Sequence, residues 1–176
     1  GSIQGLVTLT IEETGCEPLT MDNLYLGGNL AAYSKYGYNN GTPRTKADFD
    51  ALTEEQKTAE NLPYDDPVLN IISCTSIGNV FGGGLGSSAT MYGSPTVNIN
   101  LIPGDYALDV DSDGDGVNDS KALGPIGNVY GGGNAASVKG DTHVNICTEA
   151  TVAVQSSKGA PITGTPRTVE GAIITG

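Results

Sequence analysis

Asn128-Val129-Tyr130-Gly131-Gly132-Gly133 decides the reading of this chain, because the chain has already written it twice. The phrase stands earlier as Asn79-Val80-Phe81-Gly82-Gly83-Gly84 and, more loosely, as Asn23-Leu24-Tyr25-Leu26-Gly27-Gly28. A short apolar strand signal follows each copy: Leu69-Asn70-Ile71-Ile72, Val97-Asn98-Ile99-Asn100-Leu101 and Val144-Asn145-Ile146, in chain order. A fourth strand of the same kind, Val7-Thr8-Leu9-Thr10-Ile11, precedes the first copy. Self-similarity at tens of residues marks architectures built from stacked repeats.

The spacings agree with a solenoid. Asn128 lies 16 residues before Val144, Asn79 lies 18 before Val97, and Leu69 lies 10 before Asn79. An uninterrupted turn of the chain therefore takes about 26–28 residues, enough for three short strands and their connections. In Val97-Asn98-Ile99 the apolar residues alternate with Asn, the period-2 pattern of a strand with one buried face. Val7, Leu9 and Ile11 fall into the same columns, as do Leu69 with Ile71 and Val144 with Ile146. Stacked columns bury a continuous core that no single repeat could bury alone. Val97, Ile99, Val144 and Ile146 are expected to point inward, and Asn98 and Asn145 to point outward or to ladder on the surface. The glycine triplets suit corners that need positive φ or close approach to the next turn of the chain. Helix is a poor alternative: 26 glycines in 176 residues, at roughly 1 kcal/mol each against Ala, would undo most helices. The predicted fold is all-β, a parallel β-helix (solenoid) forming one domain over 1–176, with a short helical insertion at about 30–66 and a calcium-loop insertion at about 102–124. Insertions into repeats map to surface loops, where binding often resides.

The formal charge is −12, from 20 acidic and 8 basic residues, which disfavours nucleic acid and anionic lipid as partners. No apolar run approaches the 20 or so residues of a membrane span. Gly1-Ser2 has the look of a remnant left by cleavage, and the repeat-like stretch Ala172-Ile173-Ile174-Thr175-Gly176 reads as a segment of something longer. The three cysteines, Cys16, Cys74 and Cys147, cannot all pair within one chain. A Cys16–Cys74 bridge competes with three unpaired thiols, and nothing has the paired spacing of a zinc site.

The first insertion opens with a tyrosine- and glycine-rich stretch ending in an Asn40-Gly41 turn signal. Tyr33, Tyr36 and Tyr38 are candidate contacts for a glycan or protein ligand, since tyrosine offers flat amphipathic area. The competing role, which the sequence favours, is to pack the insertion against the solenoid wall. Lys46 to Asn61 reads as helix, with Phe49 and Leu52 as its apolar face, Thr53 and Gln56 as a capping box, and Leu62-Pro63 as its stop.

The second insertion carries the most specific chemistry. Asp111-Ser112-Asp113-Gly114-Asp115-Gly116-Val117-Asn118-Asp119 places carboxylates at positions 1, 3, 5 and 9, a Gly at 6 and a backbone carbonyl at 7. Calcium, a hard cation taking six to eight oxygens, is wrapped by that pattern. The expected ligands are Asp111, Asp113, Asp115, the Val117 carbonyl and Asp119. The nine residues resemble the calcium loops of EF-hand, dockerin and thrombospondin type 3 repeats. They depart at position 12, where Ala122 stands in place of a bidentate Glu; Asp105, Asp109 or water would complete the shell. A solvated acidic loop without an ion is the competing reading.

Other motifs point away from catalysis. Gly82-Gly83-Gly84-Leu85-Gly86-Ser87-Ser88 lacks the Lys-Ser/Thr of a phosphate loop and recurs as a corner. His143, the single histidine, precedes a strand residue and is expected to face outward. Arg44 and Arg167, each in a Gly-Thr-Pro-Arg-Thr phrase, could act as the base of a β-helix polysaccharide lyase, but that phrase reads more simply as another corner.

The stretch from Ile126 to Ile146, with Ile77 to Leu101 as its second copy, resembles a repeat of large, uncharacterised surface proteins of gut and oral Bacteroidetes-type bacteria. The resemblance implies a secreted or surface-anchored right-handed β-helix and brings no activity and no catalytic residues. The sequence therefore predicts a non-catalytic, calcium-stabilised structural or adhesive module at the cell surface or outside the cell. Its expected partners are a surface glycan or protein, neighbouring repeats of a parent chain, and further copies of itself. The rivals are a carbohydrate-active β-helix enzyme and the subunit of an end-to-end extracellular filament.

Overall fold

The computed structural model describes residues 8–14, 17–102 and 123–152, with the side chains of 102 and 147–152 excepted. The described chain is rich in short strands, and its two larger sheets are wholly parallel. One holds β1 (Thr8–Ile11), β6 (Val68–Ile71), β9 (Thr96–Ile102) and β11 (His143–Val152), in the order β1-β6-β9-β11. The other holds β2 (Thr20–Tyr25), β7 (Ser76–Phe81) and β10 (Ile126–Tyr130), with β7 central. A third, smaller parallel pair joins β3 (Tyr33–Ser34) to β8 (Met91–Tyr92), and Met91 bridges onward to Val138. Strand order follows chain order in every case. Each pass of the chain therefore lays its strands beside those of the pass before.

The register matches the repeats residue for residue. Leu9, Leu69, Val97 and Val144 share one column, and Ile11, Ile71, Ile99 and Ile146 another. Met21, Ile77 and Ile126 align in the second sheet, as do Leu24, Val80 and Val129. Between the sheets lies the core, in which Leu69, Ile71, Val80, Val97, Ile99 and Ile126 are fully buried. Each such side chain contributes roughly 1.5–3 kcal/mol relative to exposure. Val144 and Ile146 keep their columns but are exposed, because β11 is the outermost strand of its sheet among the described residues.

Asn98 and Asn145 form the expected ladder and Asn145 is exposed, but the ladder does not stay on the surface. Asn70 and Asn98 are buried, not solvent-facing. Asn98 donates to Asn70 Oδ1 at 2.8 Å and accepts from Asn145 Nδ2 at 2.8 Å, so each amide satisfies the next along the column. A second ladder, Asn23–Asn79–Asn128, runs at 2.9 Å per step on the other sheet. Two residues further on, Tyr25, Phe81 and Tyr130 stack with centroids 4.8 and 4.9 Å apart. Stacked pairs of this kind add roughly 0.5–1.5 kcal/mol beyond their burial. The alternation ends at Asn100, whose φ of 61° is a left-handed conformation that Asn tolerates better than most residues.

The glycine triplets answer to crowding. None of their residues has positive φ. A Cβ on Gly83 would sit 2.6 Å from the Gly133 nitrogen, and one on Gly84 2.6 Å from the Gly28 oxygen. The left-handed position lies just beyond and recurs in each pass, at Leu30 (φ 58°), Gly86 (φ 85°) and Ala135 (φ 56°).

Between β3 and β6 the chain makes its first excursion. Tyr38–Asn39 (β4) and Thr42–Pro43 (β5) form an antiparallel hairpin around Asn40-Gly41, both at positive φ, as a tight two-residue hairpin turn demands. The Gly41–Thr45 phrase is thus part of a hairpin and not a corner of the parallel sheets. The predicted single helix is two, α1 (Lys46–Asp50) and α2 (Glu54–Ala59). Thr53 forms the expected capping box with Gln56, and its extended backbone (ψ 160°) is what interrupts the helix. Thr45 and Asp48 form a second box at the start of α1.

Candidate functional site

The structure ties the hydroxyls of two of the three candidate tyrosines into hydrogen bonds. Tyr33 is buried on β3, and its hydroxyl donates to the Asp65 carbonyl at 2.5 Å. Burial, with Asp66 nearby, pushes its phenol above the ordinary tyrosine range. The Tyr38 hydroxyl donates to the Ala32 carbonyl and accepts from the Ser34 amide, and burial raises its pKa as well. These two rings pin the excursion to the parallel sheets, as the packing role predicts. Tyr36 is half-buried, tilts against Phe49 at 5.4 Å between centroids, and lines a cavity.

That cavity, of about 440 Å³, lies where the start of α1 meets the outer side of β8. Its lining is Tyr36, Thr45, Lys46 and Ala47 from the excursion, with Tyr92 and Lys139 from the parallel sheets. Met91 turns into the core, so the next residue, Tyr92, is presented outward. The Met91–Val138 bridge places Lys139 one pass away, level with Tyr92, and its amide donates to the Met91 carbonyl at 2.8 Å. In a chain of formal charge −12, this cavity is lined by two lysines and, among the described residues, no carboxylate. Lys46 Nζ is held by Asp50 at 2.7 Å, whereas Lys139 has no ion-pair partner among the described residues.

A larger cavity of about 660 Å³ opens beside the hairpin, lined by Asn39, Asn40, Arg44, Asp48 and Gln56 among others. Its charged groups are already engaged. Arg44 makes a two-pronged bridge to Glu60 at 2.6 and 3.0 Å, which raises the guanidinium pKa and lowers that of the carboxyl. Asp48 is committed to the Thr45 cap.

The remaining sequence candidates separate by position. Asp111, Asp113, Asp115, Val117 and Asp119 lie outside the described residues, as do Arg167 and Cys16. Among the described residues no group of three or more His, Cys, Asp or Glu could hold a metal ion. Cys74 is a buried thiol with no disulfide partner among the described residues, and burial pushes it up to about 11; Cys16, its expected partner, lies outside them. His143 is exposed at the start of β11. The amides of Gly82 and Gly83 donate to Tyr130 and Gly132, which leaves neither for a phosphate. Glu13, which sequence reasoning passed over, is buried; its carboxylate accepts from the Leu19 amide and the Thr75 hydroxyl, both at 3.0 Å, and ties the β1–β2 connection to β6–β7.

Sequence reasoning also missed Tyr92 and Lys139. The repeat could have aligned them, but Leu85 and Met91 are six residues apart where their partners Asn134 and Val138 are four. Comparison with protein-family models, with curated proteins and with solved structures finds no match to this chain.

Proposed function

We propose that this chain is a parallel β-helix serving as a non-catalytic structural and adhesive module of a bacterial cell-surface or secreted protein, stabilised by calcium. The observation that carries the reading is the register: the same residue of each repeat returns to the same column, with strand order following chain order. A chain that stacks in this way gains a continuous core from units too small to fold alone. It suits a stalk or display surface, on which excursions from the repeat supply the contacts. The cavity beside Tyr36 and Tyr92 supports the adhesive part. Calcium rests on the oxygen-rich donor set of Asp111, Asp113, Asp115, the Val117 carbonyl and Asp119, which suits a hard cation. The engagement of Arg44 by Glu60 weighs against its use as a lyase base.

The test has two arms. The purified chain is passed over surfaces coated with glycoproteins in millimolar calcium, and retention on at least one is expected. It is also incubated with neutral and acidic polysaccharides, and no new reducing ends or unsaturated products are expected. Cleavage would replace this reading with the carbohydrate-active enzyme; failure to be retained on any surface would remove the adhesive role.

A further inference from the structure

We propose that the cavity between α1 and β8 is a binding site for an acidic sugar residue carrying a carboxylate, with Lys139 as its charge anchor and Tyr36 and Tyr92 as its walls. The assignment deepens the adhesive reading above and rests on it.

Size comes first. A volume of about 440 Å³ falls in the range of small-ligand sites, and it suits a sugar unit with part of its neighbour. The walls are half-buried tyrosines from two different parts of the chain. Such rings offer apolar faces to sugar C–H groups and a hydroxyl at the rim, with little side-chain entropy to lose.

Charge then narrows the ligand. Four of the five described cations, Lys35, Arg44, Lys46 and Lys57, are bound to carboxylates of the same chain. Lys139 is the exception among the described residues, and it lines this cavity. Lys139 is exposed at the cavity's edge, and an ammonium there with no carboxylate among the described lining residues is a ready partner for an anion, by a charge-assisted hydrogen bond. The surrounding chain, at −12, repels a densely charged polymer. The favoured ligand therefore carries isolated charges on a neutral ring scaffold. A uronic acid within an oligosaccharide has that chemistry; heavily sulfated glycans and nucleic acids do not.

Position adds the last argument. The site draws on the excursion and on two successive passes, since Tyr92 and Lys139 are brought level only by the β8–Val138 pairing. It lies on the outer side of the parallel sheets, with Lys139 exposed among the described residues.

The test is calorimetric titration of the whole chain with oligosaccharides in which glucuronate, galacturonate or mannuronate alternates with neutral sugars. Their carboxyl-reduced counterparts and a heparin oligosaccharide serve as comparisons. At least one uronate series is expected to bind, with the carboxyl-reduced form at least tenfold weaker. Lys139→Ala should weaken binding at least tenfold, Lys139→Arg should retain it, and Tyr92→Ser should weaken it, all with unchanged melting temperatures. No binding by any uronate series, equal binding of the reduced forms, preference for heparin, or an unaffected Lys139→Ala variant would overturn the assignment. Retention of Lys139→Ala on a glycoprotein surface as strong as that of the native chain would overturn the site alone. Loss of retention by the native chain would overturn the adhesive reading with it.

Discussion

A methyl group has opposite meanings at Gly83 and Gly132, although the two are paired positions of one repeated phrase. The Gly83 amide donates to the Gly132 carbonyl at 3.0 Å, and a Cβ on Gly83 would sit 2.6 Å from the Gly133 nitrogen, against backbone that has no other rotamer. On Gly132 the same Cβ meets nothing within 4 Å among the described residues. Neither has positive φ, so conformational strain does not enter. Gly83→Ala is expected to cost about 1–3 kcal/mol or more through overpacking. Gly132→Ala is expected to be near neutral, or to stabilise by up to about 1 kcal/mol by restricting the unfolded chain. Denaturant midpoints of the two variants check this. Equal costs would mean that the triplet is kept for flexibility and not for close approach.

The excursion is the element whose stability depends most visibly on charge. Its helices, of five and six residues, are too short to persist by themselves, so caps and side-chain packing hold them. Phe49 contributes by lying between Tyr36 and the Lys57 ammonium, which sits 4.8 Å from the ring centroid. Hydrogen bonds from the Thr45 amide and hydroxyl hold the Asp48 carboxyl below its ordinary range. The Glu55 backbone amide and the Thr53 hydroxyl do the same for Glu55, and Arg44 for Glu60. A carboxyl depressed in the folded state stabilises above its unfolded pKa, near 4, and that contribution is lost as pH falls through the lower folded value. Acidification below about pH 4 should therefore loosen α1 and α2 ahead of the central strands. Hydrogen exchange at pH 6 and pH 3 can follow the Ala51 and Lys57 amides against that of Ile99. If the helical amides keep their protection relative to Ile99 at pH 3, the caps are not what holds this element.

At the scale of the molecule, the proposed calcium loop makes stability depend on an added ion. An ion that binds the folded chain alone stabilises it by mass action, about 2.7 kcal/mol at a hundred times Kd. Millimolar calcium should raise the melting temperature and chelator should lower it. Asp115→Ala should abolish the difference while leaving β-rich circular dichroism unchanged. Superimposable melting curves with calcium and with chelator, together with no heat of binding, would remove the ion from the account.

Alignment of the passes was legible residue by residue. Val97-Asn98-Ile99 and its relatives assign the columns that Leu69, Ile71, Val144 and Ile146 occupy, because strand period and repeat length are local properties of the chain. The Asn40-Gly41 turn and the Thr53–Gln56 cap were legible for the same reason, since each is settled within four residues. What required the tertiary structure was every question about a neighbour far away in the chain. Period 2 puts Asn98 on the face opposite Ile99 and allowed it to ladder, but only the stacked passes make that link a buried one. The triplet glycines could have served positive φ or close approach, and the approach of Gly133 to Gly83 decided for the second. Tyr92 and Lys139 line one cavity because two connections of unequal length end at the same level. Connection length hides that alignment in the sequence, and the hydrogen-bonded register restores it in space.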